Sequence, residues 1–162
     1  MLDAVQIQRI LPHRFPFLFI DGVESVDLDA QGGPTIVALR LVSNTDPILQ
    51  GHFPGNPIVP GVIQVETMAQ AAAILSHLAG KFDPDQHHCL FMGIEAARFR
   101  APVVPGERLE IHVQALRLGR IGKFKGEVRV GSKVKSNATF TAVVQPKAPE
   151  SSPTPSGPEE PA

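Results

Sequence analysis

The sequence has a single cysteine, Cys89, among its 162 residues, and it has no tryptophan and no tyrosine. One cysteine cannot form an intramolecular disulfide or supply a cluster of thiolate metal ligands, so it fits a reducing compartment. The chain also lacks a run of about 18 consecutive apolar residues, the length that a membrane span needs. Its N-terminus lacks the basic and apolar regions of a secretory signal. We therefore expect a cytoplasmic protein with no membrane partner and no metal site.

Charge of either sign is not in excess, because 15 basic residues stand against 16 acidic ones and the formal net charge is -1. A nucleic-acid binder usually carries a basic excess that neutralises phosphates, so no nucleic-acid partner is expected. A content of 43% hydrophobic and 19% charged residues is typical of a globular protein. The length corresponds to one domain of ordinary size.

The C-terminal segment differs in composition from the rest of the chain. Residues 146–162 contain six of the sixteen prolines, four charged side chains and no large apolar side chain. Such a segment cannot offset the entropy cost of its own ordering. The composition predicts a single domain over residues 1–145, followed by a disordered proline-rich tail over residues 146–162.

Local patterns predict mainly β-structure. A short helix should begin after Asp3, which can cap it, and should end before Pro12. Apolar and polar residues alternate in several segments, which is typical of an antiparallel sheet with one buried face. The predicted strands are Phe17–Val26, Thr35–Val42, Cys89–Arg98, Arg108–Leu118, Lys123–Val130 and Lys133–Val144.

One predicted helix, Val62–Leu75, is unusual in its apolarity. Ten of its fourteen residues are apolar, and Glu66 is its only charged residue. A helix that is apolar nearly all round is a buried helix. One such helix beside a long sheet predicts an α+β hot-dog fold, in which an antiparallel sheet wraps around one long central helix.

Glu66 is the first candidate for a chemical role. A carboxylate in an apolar helix is costly unless it is paired, protonated or facing a pocket. Gln70, one turn later, can donate a hydrogen bond to it. The alternative is that Glu66 faces solvent or forms a salt bridge between subunits.

A rigid loop precedes this helix in the segment G-H-F-P-G-N-P-I-V-P-G-V, Gly51–Val62, where prolines and glycines restrict the backbone. His52 in this loop can act as a general base at neutral pH, although a structural hydrogen-bonding role is the alternative. The free backbone N–H groups at Gly61 can bind a carbonyl oxygen that gains negative charge. Base, acid and helix-end amides together indicate removal of a proton beside a carbonyl with loss of a leaving group.

Four segments of the chain carry a family resemblance. They are L-P-H-R-F-P-F-L-F-I-D (Leu11–Asp21), Gly51–Val62, E-T-M-A-Q-A-A (Glu66–Ala72) and F-M-G-I-E-A-A-R-F-R-A-P-V-V-P-G-E (Phe91–Glu107). These segments closely resemble the (3R)-hydroxyacyl-[acyl carrier protein] dehydratases of the FabZ type, from bacterial type II fatty acid synthesis. The resemblance implies a hot-dog enzyme that removes water from a (3R)-3-hydroxyacyl thioester to give the trans-2-enoyl thioester, with no metal or organic cofactor.

The resemblance also implies residue roles. His52 takes or relays the C2 proton, and Glu66 protonates or orients the departing 3-hydroxyl. The Gly61 amide donates to the thioester carbonyl with Val62 beside it, and Gln70 supports Glu66. The implied substrate tunnel is lined by Phe53, Pro57, Ile58, Val59, Phe91 and Phe99.

The implied partner is an acyl carrier protein whose acyl chain hangs from phosphopantetheine. In such enzymes the active sites lie in a homodimer interface, where His52 of one subunit faces Glu66 of the other, and dimers usually assemble into a hexamer. An acidic carrier protein implies a basic rim at the tunnel, although each basic residue could equally be an ordinary solvated side chain. The candidates are Arg98, Arg100, Arg120, Lys123 and Lys125.

Some positions depart from the family pattern. Asp21 is followed by Gly22 where arginine is common, and Phe15 stands where tyrosine is frequent. Glu66, where a double-bond-isomerising relative usually has aspartate, favours simple dehydration. His13 is interpreted as a structural or interface residue. A hydratase or thioesterase acting on coenzyme A thioesters, and a non-catalytic carrier-binding subunit, remain the alternative functions.

Overall fold

The computed structural model describes residues 1–148 of the chain. Within this range the backbone forms two α-helices, one short 3-10 helix and six strands. The helices are α1 at Ala4–Ile10 and α2 at Gly61–Leu78, and the 3-10 helix lies at Pro47–Gln50. The strands are β1 at Gly22–Asp27, β2 at Thr35–Leu41, β3 at His87–Phe99, β4 at Arg108–Arg117, β5 at Ile121–Val130 and β6 at Lys133–Pro146.

The strands form one antiparallel sheet in the order β1-β2-β4-β5-β6-β3. Strand β3 is therefore an edge strand, and it follows α2 directly in the chain. Its pairing with β6 shifts register at two places, between Phe91 and Gly93 and between Ile94 and Ala96. Such bulges increase the local twist of a strand, which helps the sheet to curve. Helix α2 lies against five of the six strands, β2 to β6. The predicted hot-dog architecture is confirmed.

The core forms where α2 meets the concave face of the sheet. Met68, Ala71, Ile74 and Leu75 of the helix are fully buried. The helix comes so close to β5 that a Cβ atom added to Gly126 would lie 2.8 Å from the sulfur of Met68. Glycine at that position therefore permits the close approach of helix and sheet.

The prediction of a strand beginning at Phe17 is wrong, because β1 begins only at Gly22. The Gln70 side chain is the reason. Its Oε1 accepts a hydrogen bond from the backbone N–H of Phe19 at 2.9 Å, and its Nε2 donates to the carbonyl of Phe17 at 2.9 Å. These backbone groups bind a helix side chain instead of a neighbouring strand.

Two predictions concern the ends of the chain, namely the cap of the first helix and the boundary between the domain and the tail. Asp3 caps α1 in a reciprocal capping box with Gln6, as expected. Strand β6 continues to Pro146, and the backbone N–H of Lys147 donates to the carbonyl of Gln86 at 2.8 Å. The first residues of the predicted tail are thus part of the folded domain, and residues 149–162 lie outside the described residues. Over residues 1–148, no helix is both long and apolar enough to span a bilayer.

Candidate active site

The loop before α2 fixes the orientation of His52. The Nδ1 atom of His52 lies 2.7 Å from the carbonyl oxygen of Ile58, so Nδ1–H donates to it. The backbone N–H of Ile58 donates in return to the carbonyl of His52 at 2.8 Å. The neutral imidazole consequently has its lone pair on Nε2. Nε2 of His52 is thus the ring nitrogen that is free to accept a proton.

The first turn of α2 offers free backbone donors. Pro60 precedes the helix and provides no side-chain cap. Among the described residues, the amides of Gly61 and Val62 have no hydrogen-bond acceptor. The partial positive charge of a helix N-terminus favours an oxygen that carries negative charge at this place. The ring of Phe99 covers Gly61 so closely that a Cβ atom there would lie 2.8 Å from two ring carbons.

Glu66 lies in the second turn of α2 and is only 18% exposed. Gln70 donates from Nε2 to its Oε1 atom at 3.0 Å. Since Gln70 is itself held by the backbone of Phe17 and Phe19, it fixes one oxygen of the carboxylate. The hydrogen bond that the helical spacing allowed between Gln70 and Glu66 is present.

Glu66 opens into a mainly apolar cavity of about 220 Å³. Burial lowers the pKa of His13, and the nearby charge of Arg14 lowers it further, against the opposing effect of Glu66. Burial also raises the pKa of Cys89 to about 11, and the negative charge of Glu66 acts in the same direction. The lining residues are His13, Phe17, Glu66, Ala69, Gln70, Ala73, Cys89, Leu90, Phe91 and Ala142.

The structure separates several residues that the family resemblance places in one tunnel. Phe91 lines the Glu66 cavity, whereas Phe53 and Pro57 line a different depression of about 300 Å³. Ile58 is half-buried in the loop. The prediction that Val59 lines the substrate tunnel is wrong, because its side chain is 1% exposed and belongs to the hydrophobic core. His52 does not line the Glu66 cavity.

The five predicted rim residues do not form one cluster in the sheet, because Arg98, Lys123 and Lys125 lie on strands and Arg100 and Arg120 lie in loops. Lys123 forms an ion pair with Glu95 at 2.7 Å, and Lys125 shares the outer face of β5 with it. Arg120 lines a separate cavity of about 470 Å³ with Lys81 and His87. Over the described residues, four members of the set are exposed and have no acidic partner; these are Arg98, Arg100, Arg120 and Lys125.

The contact between His13 and Glu66 could not be predicted from the sequence. It lies between α1 and β1, and its Nε2 atom is 3.5 Å from Oε1 of Glu66. The two residues are far apart in the chain, so no local spacing connects them. Only its place in the motif L-P-H-R-F-P-F could have drawn attention to it.

A curved antiparallel sheet around a central helix that carries a half-buried carboxylate defines a hot-dog protein. A family model described as a FabA-like domain matches residues 11–147. The chain belongs to this FabA-like family.

Sequence relatives agree with this assignment. The 3-hydroxyacyl-[acyl-carrier-protein] dehydratase FabZ of Caulobacter vibrioides is 39% identical over 150 residues, which is 92% of each chain. The FabZ of Anaeromyxobacter sp. strain K is 43% identical over 146 residues, 89% of this chain and 91% of its own.

The solved structures show the same fold. The dehydratase heterocomplex ApeI:P of Xenorhabdus doucetiae aligns with a TM-score of 0.70 at 24% identity, over 85% of this chain and 89% of its own. A mutant thioesterase of Pseudomonas aeruginosa aligns with a TM-score of 0.64 at 19% identity, over 91% of this chain and 96% of its own.

Proposed function

We propose that the protein is a 3-hydroxyacyl-[acyl carrier protein] dehydratase of type II fatty acid synthesis, acting in the cytoplasm on acyl chains linked through phosphopantetheine. The observation that carries the proposal is Glu66, set in an apolar cavity with one oxygen held by Gln70. His52, with Nε2 free to accept a proton, supplies the complementary base. The names of the FabZ relatives support the same reaction.

The reaction begins with the thioester carbonyl at the start of α2. The Gly61 amide donates to the carbonyl oxygen and stabilises the negative charge that develops when C2 loses its proton. Nε2 of His52 takes that proton. The electron pair of the C2–H bond forms the C2=C3 double bond, and the C3–O bond breaks. Glu66 gives its proton to the departing hydroxyl, which leaves as water, and solvent returns the proton from His52 to Glu66.

The complete site requires a second copy of the chain in this proposal. His52 is absent from the lining of the Glu66 cavity, and edge strand β3 runs along that cavity. The unpaired backbone groups of an edge strand can bind another strand. A two-fold dimer through β3 would cover its apolar side chains and bring His52 of one protomer to Glu66 of its partner. The exposed apolar residues of this edge are Leu90, Phe91, Met92, Ile94 and Phe99.

The first experiment follows the ultraviolet absorbance of the conjugated enoyl thioester with a 3-hydroxyacyl carrier protein as substrate. We expect a signal with the unmodified protein and its loss in His52→Ala and Glu66→Gln. His112→Ala is the matched control for the histidine, because His112 lies on β4 and lines neither cavity of the site.

Other products would overturn the proposal. Enoyl product from the coenzyme A thioester alone would indicate a hydratase of coenzyme A substrates. Release of free thiol without the enoyl signal would indicate a thioesterase.

Sedimentation velocity of the same samples measures the oligomeric state, for which we expect a dimer or a trimer of dimers.

A further inference from the structure

His13 faces the proposed acid of the reaction from outside the central helix. Its Nε2 atom lies 3.5 Å from Oε1 of Glu66, and its ring stacks on Phe17 with a centroid separation of 6.1 Å. His13 and Glu66 line the same cavity. The contact therefore joins the segment before β1 to the chemistry of α2.

Burial decides which nitrogen of His13 carries the proton. The Nδ1 atom is buried and has no hydrogen-bond partner among the described residues. A proton on Nδ1 would be a buried donor without an acceptor, which costs more than a bare nitrogen at the same place. The proton of the neutral ring therefore lies on Nε2, the atom that faces the carboxylate.

The ring is also held in its neutral form. Burial lowers the pKa of His13, and the charged groups around it are Glu66, which opposes the shift, and Arg14, which adds to it. Cys89 faces the same cavity but is protonated near neutral pH. His13 thus presents an N–H donor without becoming a cation.

Two side-chain nitrogens lie near the same oxygen of Glu66. Gln70 donates to Oε1 from Nε2 at 3.0 Å, and Nε2 of His13 lies 3.5 Å from the same atom. Oε2 receives neither donor. In the protonated acid, the oxygen that faces these donors is the accepting carbonyl oxygen, so the acid proton lies on Oε2.

We propose that His13 is a positioning residue that, together with Gln70, holds Oε1 of Glu66 so that Oε2 delivers the proton to the leaving hydroxyl. This inference rests on the proposed dehydration. It goes beyond a structural role, because packing on Phe17 requires only a ring, whereas the effect on Glu66 requires an N–H group at the Nε2 position.

The test compares His13→Gln with His13→Phe in the full-length protein, with kcat and KM measured on the 3-hydroxyacyl carrier protein. Gln places an N–H donor at the reach of Nε2, and Phe keeps the ring without a donor. We expect kcat of the Phe variant to fall about 10- to 100-fold with KM nearly unchanged, as when a buried acceptor loses a donor. The Gln variant should recover most of that loss.

His77→Phe is the matched control. Nδ1 of His77 bonds the carbonyl of Phe82 at the end of α2, away from the cavity, so this variant should lose stability but not kcat. Should His13→Phe fail to fold, His13→Asn replaces it, because the shorter amide cannot reach Glu66.

The outcomes separate the inference from the function on which it rests. An unmodified protein without enoyl product would overturn the proposed dehydration itself. If the unmodified protein is active and the Phe or Asn variant keeps its kcat, His13 does not position Glu66. If the folded Gln and Phe variants lose kcat equally, the donor is not the cause, and the positioning role is equally overturned.

Discussion

Gln70 connects the fold and the proposed site at the level of a single side chain. Its amide forms hydrogen bonds with the backbone of Phe17 and Phe19, where a neighbouring strand would otherwise pair, and it also donates to Oε1 of Glu66. A buried amide with all these partners is costly to remove, because the groups it leaves behind stay unsatisfied. The same side chain thereby shapes the segment before β1 and orients the acid.

Replacing Gln70 with leucine should therefore affect both stability and rate. We expect the free energy of unfolding to fall by about 2 to 4 kcal/mol, since two backbone groups lose their partner, and kcat to fall with it. Urea unfolding and the enoyl assay measure the two effects. Gln64→Leu is the control, because Gln64 is equally buried on α2 but bonds only the Val59 carbonyl. An equal loss of kcat in both variants would contradict a specific effect on Glu66.

His13 gives the stability a defined pH dependence. Its pKa in the native state lies below the ordinary value of 6.5, so in acid the unfolded state binds more protons than the native state. The contribution is present above about pH 6.5 and is lost as the pH falls towards the native pKa. Urea unfolding between pH 7.5 and 5 should show a smaller loss of stability in His13→Gln than in the unmodified protein. Parallel curves for the two proteins would contradict the shift.

From the sequence alone, candidate site residues could be identified where they lie close together in the chain. Glu66 and Gln70 are one turn apart on a helix, and His52 lies in a loop whose prolines mark it as rigid, so spacing alone suggested a role for each. His13 could not be found in this way. Its distance from Glu66 depends on the path of the chain around the end of α2, which tertiary packing determines.

The start of α2 depends on how strand β3 ends. Phe99 at the end of β3 lies against Gly61, so the position of the helix-end amides is set by a contact between two elements. The backbone N–H of Val59 donates to the carbonyl of Val103 at 2.8 Å and ties the preceding segment to the loop after β3. The proposed carbonyl site is thus built from both elements.

Adding one methyl group at Gly61 should disturb this contact. Gly61→Ala places a Cβ atom 2.8 Å from the Phe99 ring, and overpacking of this kind costs about 1 to 3 kcal/mol. We expect lower stability and a lower kcat, measured by urea unfolding and the enoyl assay. Gly51→Ala is the control, since nothing lies within 4 Å of its added Cβ atom. A fully active Gly61→Ala protein would indicate that the amide tolerates displacement.

The predicted elements match the structure best where local signals are strong. Strands β4, β5 and β6 lie within a few residues of the prediction, because glycine turns separate runs of alternating residues. The short 3-10 helix at Pro47–Gln50 was not predicted, although Asp46 caps it. The bulges of β3 were also not predicted, since they depend on its pairing with β6.

The whole molecule presents one long apolar edge. Five large apolar side chains of β3 are more than 40% exposed. Exposed apolar edge strands favour association, and the proposed two-fold dimer would cover this edge. The sequence alone predicts this strand but not that it is an edge, because strand order is a property of the whole sheet.

Mixing two inactive variants tests the shared site of that dimer. His52→Ala and Glu66→Gln should each be inactive alone. After subunit exchange at equal amounts, half of the dimers are mixed and each has one intact site, so about a quarter of the unmodified activity should return. The enoyl assay before and after exchange measures this recovery. No recovery despite exchange, shown by native mass spectrometry, would place both residues of each site in one chain.

The proposed product could react with the thiol of Cys89, which lies in the same cavity as Glu66. A trans-2-enoyl thioester is an electron-poor alkene, and thiolates add to such alkenes at C3. Cys89 lies in the cavity of Glu66, but its pKa of about 11 leaves only about one thiol in ten thousand ionised at neutral pH. Burial of the thiol is the main cause of this raised pKa, and the nearby charge of Glu66 acts in the same direction. A sulfur atom can line the cavity without being alkylated by the product that forms there.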